Sequence, residues 1–196
     1  MPDRKPRRLK PGVIRVPLPD VEQNRGFTGG AAALMAVLHY YGIDTGSEKQ
    51  LVQIMGIKAT ADADPVHIRQ GARHFEVQCD EFWHMRFSQL IDCLDAGLPV
   101  LMMLQARGGP GKDHAASRDA GHWVVAIGYD GEVVYFADPD MRGARAYLTY
   151  IDLDDRWHDV EGAAEKNVFR YGLALRKPRA KRQPGGKRLT EARWMN

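Results

Sequence analysis

The stretch from Gln23 to Gly42, QNRGFTGGAAALMAVLHYYG, constrains the chain more than any other. From Ala31 to Leu38 it is apolar without interruption, with Gly29-Gly30 before it and Gly42 after. Apolar residues on every side of a helical wheel belong to a helix buried all round, not to one lying on a surface. Thr28 fits an N-cap and Gly42 a C-terminal stop, so the pattern predicts a helix beginning near residue 29. The N-terminus of such a helix carries free N–H donors and partial positive charge, and so stabilises thiolates and oxyanions.

The rest of the chain alternates between readable elements. VIRVPLPDV is expected to be a short strand leading into the Gln23 loop. Ser47 caps a second helix, SEKQLVQIMG, and Asp64-Pro65 opens a third, PVHIRQGARHF. EVQCDEFW alternates as a strand, and FSQLIDCLDAG is an amphipathic helix closed by Gly97. PVLMMLQA is nearly all apolar and so is expected near the centre of a sheet. HWVVAIGY turns at Asp130-Gly131, a strong hairpin signal, into EVVYFADP. ARAYLTYI and VFRYGLALR read as the closing strands, with a short acidic helix or turn, DLDDRW, between them. Helices first and a meandering antiparallel sheet afterwards make an α+β pattern. Residues 107–120, RGGPGKDHAASRDA, form a long polar loop read as a variable insertion. It is not a phosphate-binding loop, because Gly111-Lys112 is followed by Asp113.

At 196 residues the chain is long enough for one domain with a real core. The basic start, MPDRKPRRLKPG, lacks the apolar stretch of a signal peptide, and no apolar run approaches a membrane span. Two cysteines, Cys79 and Cys93, are read as reduced, buried thiols, and the reading is of a cytoplasmic protein. The net charge of +3 conceals a segregation. Residues 1–15 and 176–196 carry 14 Lys/Arg against 2 acidic residues, whereas residues 16–175 carry 14 against 23. The expected organisation is a basic arm over 1–16, a domain over 17–176 and a basic, disordered tail over 177–196. The arms are solvated termini on one reading, and on the other they dock a polyanion or an acidic partner. His67 and His74 lack partner ligands at the right spacing for zinc, and His84, His114 and His158 carry no pattern. No cofactor or metal is expected.

QNRGFTGGAAALMAVLHYYG resembles the active-site helix of the bacteriocin-processing cysteine peptidases (cysteine peptidase family 39), a papain-fold family known for cutting after double-glycine leaders. Gln23 stands six residues before position 29, as that family's pattern has it. GHWVVAIGYDGEVVYFADPD, Gly121 to Asp140, resembles its His strand, hairpin and Asp-Pro strand. The resemblance spans roughly residues 17 to 176. It implies a papain-like α+β fold, with N-terminal helices including the buried central one packed on a mainly antiparallel sheet. It also implies a site: position 29 as the nucleophile, His122 as general base, Asp138 orienting His122, and Gln23 in the oxyanion hole. Gly121 and Trp123 flank the His and are assigned to substrate binding. Acyl transfer by a thiol needs each of these parts.

One departure is plain. Position 29 holds Gly, not Cys, so the chain is expected to be inactive as it stands. Thr28 is adjacent but not a substitute, and Cys79 and Cys93 lie on other elements. The expected partner is a peptide or protein substrate, a double-glycine leader among the candidates, cleaved only if position 29 were Cys. The glycine marks either an inactivated form of a working peptidase or a natural pseudo-peptidase that binds peptides. A third reading is a nucleic-acid-associated accessory protein acting through its basic arms. Singly the residues have ordinary explanations: a His at a strand start is usually structural, and an Asp before Pro is usually a turn residue.

Overall fold

The computed structural model describes residues 4–22, 29–58, 63–108, 111–161, 166–178 and 189–195. Its helices are α1 (Gly29–Tyr40), α2 (Glu48–Met55), α3 (Pro65–His74), α4 (Phe87–Asp95) and α5 (Tyr150–Arg156). The strands are β1 (Arg7–Arg8), β2 (Gln78–Phe82), β3 (Val100–Gln105), β4 (Gly121–Tyr129), β5 (Val133–Ala137), β6 (Arg145–Thr149), β7 (His158–Glu161), β8 (Lys166–Phe169), β9 (Gly172–Arg176) and β10 (Glu191–Trp194). The main sheet runs β1-β10-β6-β5-β4-β3-β9-β2, and β7 with β8 forms a separate hairpin. Every pairing is antiparallel except β10 with β6. This is the α+β architecture that the element order implied.

Helix α1 is the element the core forms around. All its residues but His39 are buried, and it packs on β4 and against α2 and α3. Its expected N-cap, Thr28, lies outside the described residues. Local chemistry then sets the neighbours in place. Ser47 and Gln50 close a capping box on α2, and Gly56 ends that helix in the left-handed conformation with φ of 74°. The β4–β5 turn is held by Asp130, whose carboxylate accepts from the amides of Glu132 and Val133 and from the Tyr135 hydroxyl. The all-buried β3 lies between β4 and β9, as its apolar sequence requires.

The structure differs from the sequence reading at four places. The VIRVPLPDV segment makes only an isolated bridge between Ile14 and Gly128. It crosses a bulge in β4 so closely that a Cβ on Gly128 would lie 2.1 Å from the Val13 carbonyl oxygen. Pro17 and Pro19 then deny it further ladder bonds. VFRYGLALR is divided, because Arg170 takes φ of 45° between β8 and β9. Cys79 and Cys93 are free thiols, but half-buried instead of buried. Most consequentially, the described parts of both basic arms belong to the sheet. Strand β10 lies between β1 and β6, with Ala192, Trp194 and Met195 buried. Their arginines lay guanidinium groups over aromatic rings: that of Arg7 lies 5.6 Å from the Tyr147 ring centre and that of Arg4 4.6 Å from that of Trp194. Residues 179–188 of the tail lie outside the described residues.

Removing residues 189–196 is therefore expected to destabilise the domain. Loss of the buried Trp194 and Met195 side chains alone forfeits roughly 3–6 kcal/mol of apolar burial. A fall in melting temperature of about 10 °C or more is expected by calorimetry. An unchanged melting temperature would show β10 to be an accessory strand.

Candidate active site

His122 is the second residue of β4 and pairs in register with Leu104 of β3. Asp138 follows the last residue of β5, whose Ala137 pairs with Val125. The hairpin thus returns the chain to the level at which His122 projects. The ring Nε2 of His122 lies 2.7 Å from Asp138 Oδ1, and both side chains are almost wholly buried. A carboxylate only accepts, so Nε2 carries the proton and Nδ1 of the neutral ring is left as an acceptor. The same Asp138 oxygen accepts from the amide of Asp140 at 2.9 Å, which fixes the carboxylate.

His122 also lines a cleft of about 210 Å³ together with Gly29 and Gly30, the first two residues of α1. Gly121 and Trp123 line it too, beside Ala63 and Asp64, which lead into α3. The structure thus brings Gly29, Gly121, His122 and Trp123 to one cleft and joins Asp138 to it through His122. Gln23 lies outside the described residues. The helix end sits close because Gly30 has no side chain: a Cβ there would come within 2.6 Å of the Ala63 Cβ and 3.0 Å of Trp123 Cδ1. Trp123 in turn donates its indole N–H to the Ala63 carbonyl at 2.6 Å.

The far wall was not foreseen. Arg118 and Asp119, from the loop read as a variable insertion, line the cleft, as do Asp159 and Val160 of β7. Gln105, the last residue of β3 and fully buried, joins these pieces. Its amide nitrogen donates to Asp159 Oδ1 at 2.9 Å, and its oxygen accepts from the Ser117 hydroxyl and the Ala120 amide. One signal was present: Gln105 is the lone strongly polar residue ending an apolar strand. Asp159 presses on the strand start, since a Cβ on Gly121 would lie 2.3 Å from Asp159 Oδ2. Beneath the loop, His158 donates from Nε2 to the His114 carbonyl at 2.9 Å, so its Nδ1 accepts from Arg118 at 3.2 Å.

The two thiols belong to none of this. Burial pushes the Cys79 thiol up to about 11 and raises that of Cys93, so both are poor nucleophiles at neutral pH. Among the described residues no three His, Cys, Asp or Glu side chains are grouped to hold a metal, and no helix is long and apolar enough to cross a membrane.

Residues 18–165 match the family model described as the Peptidase_C39 like family. Solved structures share the fold. A C39-like peptidase from Bacillus anthracis superposes with a TM-score of 0.63 at 17% identity, over 86% of this chain and 98% of that one. The peptidase domain of Streptococcus ComA, a bifunctional ABC transporter of a quorum-sensing pathway, gives 0.57 at 16% identity, over 79% and 95%. A double glycine motif protease from an AMS/PCAT transporter, in complex with its leader peptide, gives 0.55 at 16%, over 81% and 90%. No curated protein sequence matches the chain significantly.

Burial holds the His158 and His114 rings below the ordinary histidine range, with neighbouring cations, Arg118 for one and Arg156 for the other, adding to it. The unfolded chain then takes up these protons more readily than the folded one. The stability from keeping the rings neutral is full above the unfolded value near 6.5 and is lost as pH falls through the lowered folded values. The melting temperature should therefore drop between pH 7 and pH 5, and His158→Gln should remove part of that slope. A parallel slope in the variant would assign the acid sensitivity to other groups.

Proposed function

The chain belongs to the Peptidase_C39-like family, and from that premise we propose that it is a peptide-binding domain of cysteine-peptidase architecture whose nucleophile position is vacated by Gly29. The observation that carries this reading is the shared cleft. The start of α1 and His122 line one opening, and the buried Asp138 carboxylate fixes the ring with Nδ1 as its acceptor. In a thiol acyl transfer His122 would take the proton from a nucleophile at position 29 and return it to the leaving amine. Asp138 would hold the ring in the required tautomer and stabilise its protonated form. The amide of residue 29 and the side chain of Gln23 would serve the developing oxyanion.

A glycine keeps that backbone donor and removes only the nucleophile. The chain as it stands therefore binds peptide without forming an acyl-enzyme. A peptide suits the cleft because Gly29 has no side chain at its α1 end, so a small residue of an extended chain can approach the helix start closely. A leader peptide is the ligand named for one structural relative, and the same class of ligand is proposed here.

Gly29→Cys tests the reading directly. The new thiol should have a pKa well below the free value of about 8.5, because the helix N-terminus and an imidazolium both favour thiolate. At pH 6 iodoacetamide should modify it at least about 10-fold faster than Cys79 or Cys93, and His122→Ala should abolish most of that advantage. A cysteine that reacts like an ordinary exposed thiol, or one indifferent to His122, would overturn the assignment. The parent chain should release no product from any peptide by this chemistry.

A further inference from the structure

The loop that walls one side of the cleft is tied to β7 by a histidine outside the proposed catalytic set. His158, the first residue of β7, is buried and uses both ring nitrogens. Its Nε2 donates to the His114 carbonyl at 2.9 Å, and its Nδ1 accepts from Arg118 Nη1 at 3.2 Å. The other bonds of that guanidinium, to the carbonyls of Ala115 and Ser117, stay within the loop. Among the described residues, the bond to His158 is thus the only hydrogen bond from the Arg118 side chain to β7. Arg118 lines the cleft beside Asp159 and Val160 of the same strand.

That bond depends on one proton. An imidazolium donates from both nitrogens, and a guanidinium donates from all of its own and accepts nowhere. Protonation of His158 therefore sets donor against donor and cation against cation, while the bond to the His114 carbonyl survives. The loop keeps its anchors on Gln105 through the Ser117 hydroxyl and the Ala120 amide. The part free to move is the arginine side chain, and Arg118 is exposed, so its guanidinium has water to turn into.

On its other side His158 lines an open hollow of about 480 Å³ with His84, Asp154, Asp155, Phe169 and Arg170, which gives protons access to the ring. There Asp154 is paired with Arg170, and on β7 the Asp159 carboxylate is held by Gln105. Burial above all, with the charge of Arg118 adding to it, disfavours the charged ring against the pull of the His114 and Asp155 carbonyls. Histidine is the side chain whose ordinary titration falls nearest neutral pH, so the contact is set to break on mild acidification. We propose that His158 is a latch whose protonation releases Arg118 from the cleft wall, so that the wall carries this guanidinium at neutral pH and loses it in acid. As a statement about the wall, this stands apart from the peptide reading. Its meaning for a ligand, a cleft whose wall changes charge and shape as pH falls, rests on that reading.

An NMR titration of the full chain with no ligand added, from neutral to acid pH, tests it, so a failure of the peptide reading leaves the result untouched. Nuclear Overhauser contacts between the Arg118 side chain and the His158 ring should be present at neutral pH. They should disappear in acid with the same midpoint as the titration of that ring. His158→Gln, whose amide donates to the His114 carbonyl and accepts from Arg118 without titrating, should keep the equivalent contacts throughout. Arg118→Met, at an exposed position, reads the coupling even if His158→Gln fails to fold. It should raise the His158 pKa by about 0.5 unit or more, because the contact and the proton exclude each other. Four outcomes overturn the proposal. The contacts persist after the ring is charged; or His158→Gln loses them in acid as well; or Arg118→Met leaves the His158 pKa unchanged; or His158 takes up its proton only as the domain unfolds.

Discussion

The fold depends on how closely the N-terminal turn of α1 approaches β4. A helix with no polar face has no stable position except inside, and it finds one between the sheet and the pair α2 and α3. Gly30 sets the separation, because the space a side chain would need is filled by Ala63 and Trp123. Trp123 fastens the arrangement through its bond to the Ala63 carbonyl. One contact therefore positions three segments at once: the start of α1, the chain entering α3 and the start of β4. Those three supply one side of the cleft. Packing this tight at a helix terminus brings the start of α1 to the same cleft as His122.

The opposite side rests on a polar device. Gln105 sits where β3 leaves the sheet for the 107–120 loop, and the strand that returns begins opposite it at Gly121. Its side chain satisfies acceptors and donors on the loop and on β7 together. A fully buried amide so engaged gives a geometry that apolar contacts alone would leave free to slide, and its loss would expose several unsatisfied groups at once. The loop reads as a variable insertion from its length and polarity. Its attachment to Gln105 and His158 makes it part of the wall.

Much of the architecture was legible because its determinants are local. The uninterrupted apolar run of α1, the Ser47–Gln50 box, the Asp130-Gly131 turn and the apolar β3 each declare an element within a few residues. His122 and Asp138 were legible through a family resemblance, and the β4–β5 hairpin supplies the physical reason the spacing works. What escaped was non-local. β1 and β10 lie more than 180 residues apart in sequence, and β10 joins β6 in parallel, so no short pattern announces them. Their arginines read as solvated charge because a sequence shows the cation and not the aromatic ring beneath it. The same holds for Arg118 and Asp159, which become neighbours of the cleft only through the Gln105 network.

The persistence of His122 and Asp138 beside a glycine has a physical explanation that needs no recent catalysis. From sequence alone the two look idle beside a glycine at position 29. In the fold they are buried partners, and Asp138 also anchors the turn after β5: its carboxylate accepts from the Asp140 amide, and its carbonyl accepts from the Met141 amide. Truncating either residue would leave a buried polar group unanswered, at a cost of about 1–3 kcal/mol. A domain of ordinary stability, about 5–15 kcal/mol, has reason to keep such a pair for its own sake. Position 29 is under no comparable constraint, because a helix start accepts glycine at little cost. Among the described members of the proposed set, position 29 is thus the one whose side chain the fold does not need, and on the proposed reading Gly29 is where the difference between a peptidase and a peptide-binding domain would be expected to fall.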